Sequence, residues 1–129
     1  MTMNADCQIL LEKSKENMEA AIDLAASEKF NAAANRLYYS LFQAVKAYGV
    51  IKSKMKMDES ARVHNTANGI AHELTKGNSK FEDLFEDALN LRKKSDYQPL
   101  KVSKGELDLT FRNNASDLRD EIERLAKSA

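Results

Sequence analysis

The sequence has little of what shapes cross-linked, loop-rich or membrane proteins. Its 129 residues include one cysteine, one proline, four glycines and no tryptophan. Cys7 has no second cysteine for an internal disulfide, and no apolar run approaches the roughly 18 residues of a membrane span. Asp6 and Glu12 interrupt the N-terminal segment, which is therefore not typical of a signal peptide. These absences predict a single cytoplasmic domain over residues 1–129, with few turns, long helices and no contact with a membrane.

A net charge of one sign is also absent, because 20 basic residues face 20 acidic ones. That balance argues against a protein coated evenly by nucleic acid. The charges are unevenly distributed, however. The segment from Glu28 to Arg62 holds seven basic residues and three acidic ones, a local excess of four. This excess would fit a local basic patch on an otherwise neutral protein.

Apolar residues recur every three or four positions throughout the chain, which is typical of amphipathic helices. We predict an all-α, up-and-down bundle of about five helices. The predicted helices are about Asn4–Ala26, Asn31 to about Val50, about Ser60–Lys76, a fourth that begins at Ser79 and a fifth that begins at Ser103. We place Ile22 in the apolar stripe of the first helix and expect Gly49 to be the C-cap of the second. Ser79 with Glu82 and Ser103 with Glu106 have the spacing of capping boxes. We predict that the linker from Ile51 to Glu59 is a mobile loop. Pro99 prevents the fourth helix from continuing past it.

Two short motifs stand out against this background. On the second helix, Arg36, Tyr39 and Gln43 share a face that is separate from the main apolar stripe. On the fourth helix, Arg92 and Asp96 are four residues apart, followed by Tyr97. The plain structural reading of the second motif is an exposed ion pair of about 0.2–0.5 kcal/mol, with a tyrosine at the helix end.

The two motifs together resemble the HEPN domains. The resemblance spans roughly Leu10 to Leu125, and it rests on an A-x-x-R-x-Y-Y-S-x-F helix, a histidine after the linker and an R-x-x-x-D-Y helix end. It implies a HEPN-like helical bundle that forms a homodimer and binds RNA or a nucleotide in the cleft between subunits. It also implies a separate small nucleotidyltransferase as partner of a toxin-like protein. The binding residues implied are Arg36, Tyr39, Arg92 and Tyr97.

The ribonucleases of that family carry a histidine about four to six residues after the arginine, and none follows Arg92. An aspartate is charged at neutral pH and would repel phosphate where an imidazole could donate a proton. Asp96 could still act as a base beside Arg92. If the chain cleaves RNA, the candidates for catalysis are Arg92, which would hold the phosphate, and Asp96 or His64, which would transfer protons. The structural alternatives are a capping or core-edge role for His64 and an arginine lying over the core for Arg36.

His64 and His72 are eight residues apart, about 12 Å along a helix, so one metal ion cannot take both. No spacing typical of a zinc site occurs elsewhere, and we expect neither a metal nor a cofactor. Three hypotheses stay open at this point: an RNA- or nucleotide-binding dimer, a metal-independent endoribonuclease, and a protein-interaction module. The absent histidine favours the first over the second.

Overall fold

The computed structural model describes residues 3–58, 63–97 and 100–129, with the Tyr97 side chain outside the described part. Within these ranges the chain forms helices and turns and no strand. The five helices are α1 (Ala5–Ala26), α2 (Phe30–Ile51), α3 (Val63–Thr75), α4 (Leu84–Tyr97) and α5 (Leu109–Ser128). The all-α prediction is confirmed. The start predicted for α3 at Ser60, Arg62 of the basic segment and Pro99 lie outside the described residues.

Helix α2 is the centre of the bundle, because α1 and α5 pack against it and so do α3 and α4. Half of its 22 residues are buried. They recur at spacings that leave little of the helix facing water, which is typical of a helix enclosed by neighbours. The buried residues are Ala33, Ala34, Leu37, Tyr38, Ser40, Leu41, Phe42, Ala44, Val45, Ala47 and Gly49.

The apolar stripe predicted for α1 is correct at Cys7, Leu11, Met18 and Ala25, which are buried. Ile22 is wrongly placed in it, since this residue is 43% exposed. The buried face at that level is formed by Ala21 and Ala25 instead. Small residues there leave room for α1 to lie close to α2.

Both predicted capping boxes differ from the observed helix starts. Asn78, rather than Ser79, accepts backbone hydrogen bonds from Lys80 and Phe81. A turn follows, Asp83 has a positive φ of 64°, and α4 begins only at Leu84. Ser103 and Glu106 do exchange the two expected bonds, at 2.9 and 3.2 Å. They stabilise a turn, however, and Asp108 caps α5 by accepting from the Phe111 N–H.

Gly49 is not the C-cap of α2, because the helix continues to Ile51. The helix also has no room for a side chain here: a Cβ on Gly49 would lie 2.8 Å from Met55 Cγ and 3.0 Å from Ile70 Cδ1. The described part of the following linker is a loop, as predicted, but Met55 at its centre is only 6% exposed. The linker is therefore attached to the core at Met55.

Among the described residues, no helix combines the length and the apolar content needed to cross a membrane.

Candidate functional site

Three helices bring aromatic rings, an imidazole and a guanidinium together on one side of α2. Helix α2 contributes Tyr38, Tyr39 and Phe42, α3 contributes His64, and α4 contributes Arg92. Tyr38 and Phe42 are four residues apart and share a helix face, while Tyr39 lies one step around it. We call these five residues the arginine–aromatic cluster.

Arg92 lies between the two tyrosines and its own helix. Its Cζ is 5.6 Å from the centre of the Tyr38 ring and 5.2 Å from that of Tyr39, within the range of a cation–π contact. Its side chain is only 11% exposed. The i,i+4 ion pair of the plain structural reading is therefore present, but Arg92 is not exposed, because the two rings cover the guanidinium.

Asp96 is the acidic neighbour of this arginine. Its Oδ2 lies 3.5 Å from Arg92 Nε, and its side chain is 32% exposed. Asn35 of α2 donates through Nδ2 to both carboxylate oxygens, at 3.0 and 3.2 Å. No spacing pattern pairs Asn35 with Asp96, since the two are 61 positions apart. This contact holds the carboxylate at the edge of the cluster.

His64 is hydrogen-bonded within the cluster rather than capping its helix. Its Nδ1 is 2.6 Å from the Tyr38 hydroxyl, and its ring centre is 4.8 Å from that of Phe42. Burial, and then the positive charges of Arg92 and Lys93, lower the pKa of His64 from its ordinary value. Burial has the opposite effect on the Tyr38 hydroxyl: it raises the pKa of Tyr38, so the hydroxyl keeps its proton. A neutral imidazole is therefore present beside Arg92 near pH 7.

Of the other predicted binding residues, Arg36 is not brought into the cluster. Arg36 is exposed and donates to Asn17 of α1 at 3.1 Å, and Asn17 in turn donates to Gln43 at 2.8 Å. Arg36 and Gln43 thus contact α1, whereas Tyr39, three positions from Arg36, contacts His64 and Arg92. The side chain of Tyr97 lies outside the described residues.

A second polar group on α2 was not predicted at all. Ser14 of α1 and Ser40 of α2 each donate to the other's backbone carbonyl at 2.6 Å. Arg119 of α5, which is 3% exposed, donates to Ser14 Oγ at 3.4 Å and forms ion pairs with Asp120 and Glu123. One signal was available: Ser14 is spaced three and four residues from Leu11 and Met18, on the apolar stripe. We call Ser14, Ser40 and Arg119 the serine–arginine network.

Metal ligands are not grouped within the described residues. No set of three or more histidine, cysteine, aspartate or glutamate side chains there could hold a metal ion. His72 is the second histidine, and it lines a small crevice with Thr75 and Asp83. The groups that the cluster around Arg92 offers to a ligand are a fixed guanidinium, aromatic surface and an imidazole.

The chain belongs to the HEPN domain family, which matches it over residues 7–129. Among curated proteins, it is similar to one named "Putative toxin MJ0142" from Methanocaldococcus jannaschii. The two are 32% identical over 103 residues, which cover 77% of this chain and 67% of the relative. The family membership expected from the R-x-Y-Y and R-x-x-x-D-Y motifs is thereby confirmed.

Proposed function

We propose that this HEPN protein binds RNA or a nucleotide at the arginine–aromatic cluster and is the toxin-like member of a toxin system. The observation that carries the proposal is the position of Arg92, which lies over Tyr38 and Tyr39 beside the His64 imidazole. The toxin role is supported by the name of the archaeal relative.

The chemistry of the cluster suits a nucleotide. A guanidinium whose orientation is fixed presents its planar N–H groups to phosphate oxygens. Tyr39 is only half-buried, and the exposed part of an aromatic ring can stack on a base. Asp96 stands at the same edge, so a bound phosphate would compete with this carboxylate for Arg92. We therefore expect moderate affinity that falls as salt rises.

A homodimer with the two clusters facing one shared cleft is part of the proposal. It is supported by the family resemblance, and by the location of Tyr39 and Arg92 on the α2 and α4 faces that meet at the cluster. Light scattering should give about twice the 14.5 kDa of the chain. A strict monomer at high micromolar concentration would contradict the shared cleft, but not RNA binding at a single cluster.

The partner we propose is a small nucleotidyltransferase, as the resemblance to toxin-like HEPN proteins implies. A toxin needs a second protein that restrains it. Co-expression with a nucleotidyltransferase encoded beside this gene, followed by size-exclusion chromatography, would test the pairing. Separate elution of the two proteins at micromolar concentration would count against it.

The binding experiment uses fluorescence anisotropy with a labelled 12-nucleotide single-stranded RNA at low salt. Arg92→Ala should weaken binding at least tenfold, which corresponds to about 1.4 kcal/mol. Arg124→Ala is the matched control, because Arg124 is a 63% exposed arginine that pairs with Glu121 on α5. Circular dichroism establishes that both variants are folded. Wild-type protein without affinity for RNA or nucleotides, or an equal loss in the control, would refute the proposal.

A metal-independent endoribonuclease is the second candidate, and the neutral His64 imidazole favours it. In such a reaction the imidazole accepts the proton of a ribose 2′-hydroxyl, whose oxygen attacks the adjacent phosphorus. The 5′-oxygen of the next nucleotide leaves and takes up a proton from water, and the imidazolium returns its proton to the solvent. The products are a 2′,3′-cyclic phosphate and a 5′-hydroxyl, and Arg92 would stabilise the charge on the phosphoryl oxygens.

Cleavage of a total RNA pool in EDTA distinguishes the two candidates. We expect little or no cleavage by the wild-type protein, because no histidine follows Arg92 on α4. Robust cleavage that disappears in both Arg92→Ala and His64→Ala would establish the ribonuclease with His64 as the base. Loss in Arg92→Ala and Asp96→Ala, with His64→Ala active, would assign that role to Asp96. A protein that neither binds nor cleaves RNA would leave the protein-interaction role.

A further inference from the structure

We propose that the turn following α2 is a second contact for the phosphate backbone of a single-stranded RNA bound at the arginine–aromatic cluster. This turn, residues 52–56, is called the lysine turn here, because Lys52, Lys54 and Lys56 are all exposed on it. The inference rests on the RNA binding proposed above. It adds a second binding location on the protein, the direction in which the RNA strand would run from the cluster, and a minimum length for that RNA.

The backbone of the lysine turn is fixed by hydrogen bonds to the end of α2. The N–H groups of Lys54 and Met55 both donate to the Gly49 carbonyl, at 2.7 and 3.1 Å, and the Lys52 N–H donates to Tyr48 at 3.0 Å. The Met55 side chain then fills the space left by the missing side chain of Gly49. Three lysine stems therefore start from fixed points, which lowers the entropy lost when they contact a ligand.

The lysine turn and the arginine–aromatic cluster lie along the same seam of the molecule. Helix α3 touches both: His64 near its start contacts Tyr38, and Ile70 further along packs where Met55 meets Gly49. The turn is thus on the α3 side of α2, as the cluster is. Tyr39 and Lys52 are 13 residues apart, about 20 Å along a helix axis. At about 3.4 Å per stacked nucleotide, roughly six nucleotides would connect them.

The charges of this turn are available to a ligand. Within the part of the chain that the structure describes, none of these three lysines makes an ion pair, whereas Lys80, Lys94 and Lys127 each do. Asp58 is the acidic residue of the described linker, so residues 52–58 carry a net charge of +2. Lysines at a helix C-terminus also interact favourably with the helix dipole, which is the structural alternative. That alternative does not require three of them.

RNA fits this surface better than an acidic protein does, because the seam ends at aromatic rings and an arginine. Phosphates along a strand can contact successive lysines while a base stacks at the far end. An acidic polypeptide would match the lysines but would leave Tyr39 and His64 without a role. The two ends of the seam together therefore favour a single nucleic-acid strand.

The test compares a 12-nucleotide RNA with a trinucleotide that can reach the cluster but not the turn. The variant is Lys52→Gln/Lys54→Gln/Lys56→Gln, and its control is Lys13→Gln/Lys15→Gln/Lys104→Gln, which changes the net charge equally at other exposed lysines. The turn variant should bind the 12-mer at least tenfold more weakly, and its salt slope should be smaller by about 2, since each phosphate contact on a single strand contributes roughly 0.7. Its affinity for the trinucleotide should change less than twofold.

Three outcomes would overturn this inference. The first is an unchanged 12-mer affinity, and the second is an equal loss in the control variant. The third is a turn variant that loses binding to polyglutamate while it keeps RNA, which would assign the turn to an acidic protein. These outcomes concern 12-mer binding and the turn variant, whereas the proposed function is tested by trinucleotide binding in the wild-type protein and in Arg92→Ala, so the two failures are distinguishable.

The anchoring of the turn has its own variant. Met55→Ser keeps all three lysines but removes the side chain that fills the space at Gly49. We expect a severalfold loss of 12-mer affinity with an unchanged trinucleotide affinity. Unchanged 12-mer binding would show that the lysines act by charge alone, and it would overturn the fixed geometry argued above.

Discussion

Helix α2 carries a polar cluster on each of two sides, and the two are built differently. Toward α1 and α5, Ser14 and Ser40 are fully buried and bond each other's backbone carbonyls, with Arg119 beside them. Toward α3 and α4, the Tyr38 hydroxyl instead bonds a titratable imidazole, under a guanidinium that reaches the surface beside Asp96. Buried polar groups that satisfy one another fix helix positions, whereas a guanidinium paired with a part-exposed carboxylate can exchange that partner for a ligand. From this comparison we infer a structural role for the side of α2 that faces α1 and α5, and a binding role for the side that faces α3 and α4.

The largest expected effect is on the serine–arginine network. Arg119→Ala removes hydrogen bonds to charged partners and to a buried serine, so the free energy of unfolding should fall by about 1.5–3 kcal/mol. Arg124→Ala, which breaks an exposed pair on the same helix, should cost less than about 1 kcal/mol. Urea unfolding measures both. RNA affinity should be unchanged in each variant, and a loss of affinity in Arg119→Ala alone would break the division between the two sides.

Arg92→Ala should lower stability by a smaller amount, about 1–2 kcal/mol, because two cation–π contacts of about 0.5–1 kcal/mol each are lost. This replaces the negligible cost expected for an exposed ion pair. Arg92→Lys sharpens the comparison, since lysine keeps the charge but not the planar fork. We expect Arg92→Lys to recover part of the stability and little of the RNA affinity. Full recovery of affinity would mean that only the charge matters.

Tyr38→Phe tests the link between α2 and α3. It removes one hydrogen bond and leaves His64 Nδ1 without its hydroxyl partner, which should cost about 1 kcal/mol. The ring and its contacts with Phe42, Phe85 and Arg92 remain. Thermal unfolding compared with Tyr48→Phe, a tyrosine outside the cluster, gives the measurement. Equal melting temperatures in both variants would show that the Tyr38–His64 bond contributes nothing to stability.

The apolar periodicity was sufficient to predict the five helices, because burial repeats with the helical period. The start of α4 could not be predicted in this way. Asn78 accepts backbone hydrogen bonds in a turn, and α4 starts only after Asp83, whose positive φ no apolar spacing indicates. Ile22 was misassigned for a related reason: it continues the spacing of the stripe, but the neighbouring alanines lie closer to α2.

The candidate site was predicted only in part. Tyr39 stood out in one motif, and Arg92 and Asp96 in another, yet the partners that decide their chemistry come from distant positions. Asn35 meets Asp96 across 61 residues, and Tyr38 meets His64 across 26. Arg36 shows the converse, since its place next to Tyr38 and Tyr39 in the motif suggested a common groove. Its actual partner, Asn17, depends on how α1 crosses α2.

The His64 imidazole should give the stability of the protein a pH dependence below about pH 6.5. Its folded pKa lies below the ordinary value of about 6.5, so the unfolded chain binds this proton more readily. Stability from this group is complete above about pH 6.5 and falls as the pH drops through the folded pKa. The slope cannot exceed about 1.4 kcal/mol per pH unit for one proton. Urea unfolding between pH 7.5 and 5 should show a flatter profile in His64→Asn than in His72→Asn, and identical profiles would contradict this.

The smallest expected effect concerns Asp96, whose carboxylate opposes a phosphate that approaches Arg92. Two charges about 4 Å apart in water interact by about 1 kcal/mol, so Asp96→Asn should strengthen RNA binding by up to about fivefold. The amide still offers an oxygen to Asn35, and stability should change by less than about 1 kcal/mol. Asp117→Asn is the control, because Asp117 is 53% exposed and pairs with Lys80 away from the cluster. Weaker binding in Asp96→Asn would mean that Asp96 orients Arg92 rather than competing with the ligand, and the two sides of α2 would then share a structural role.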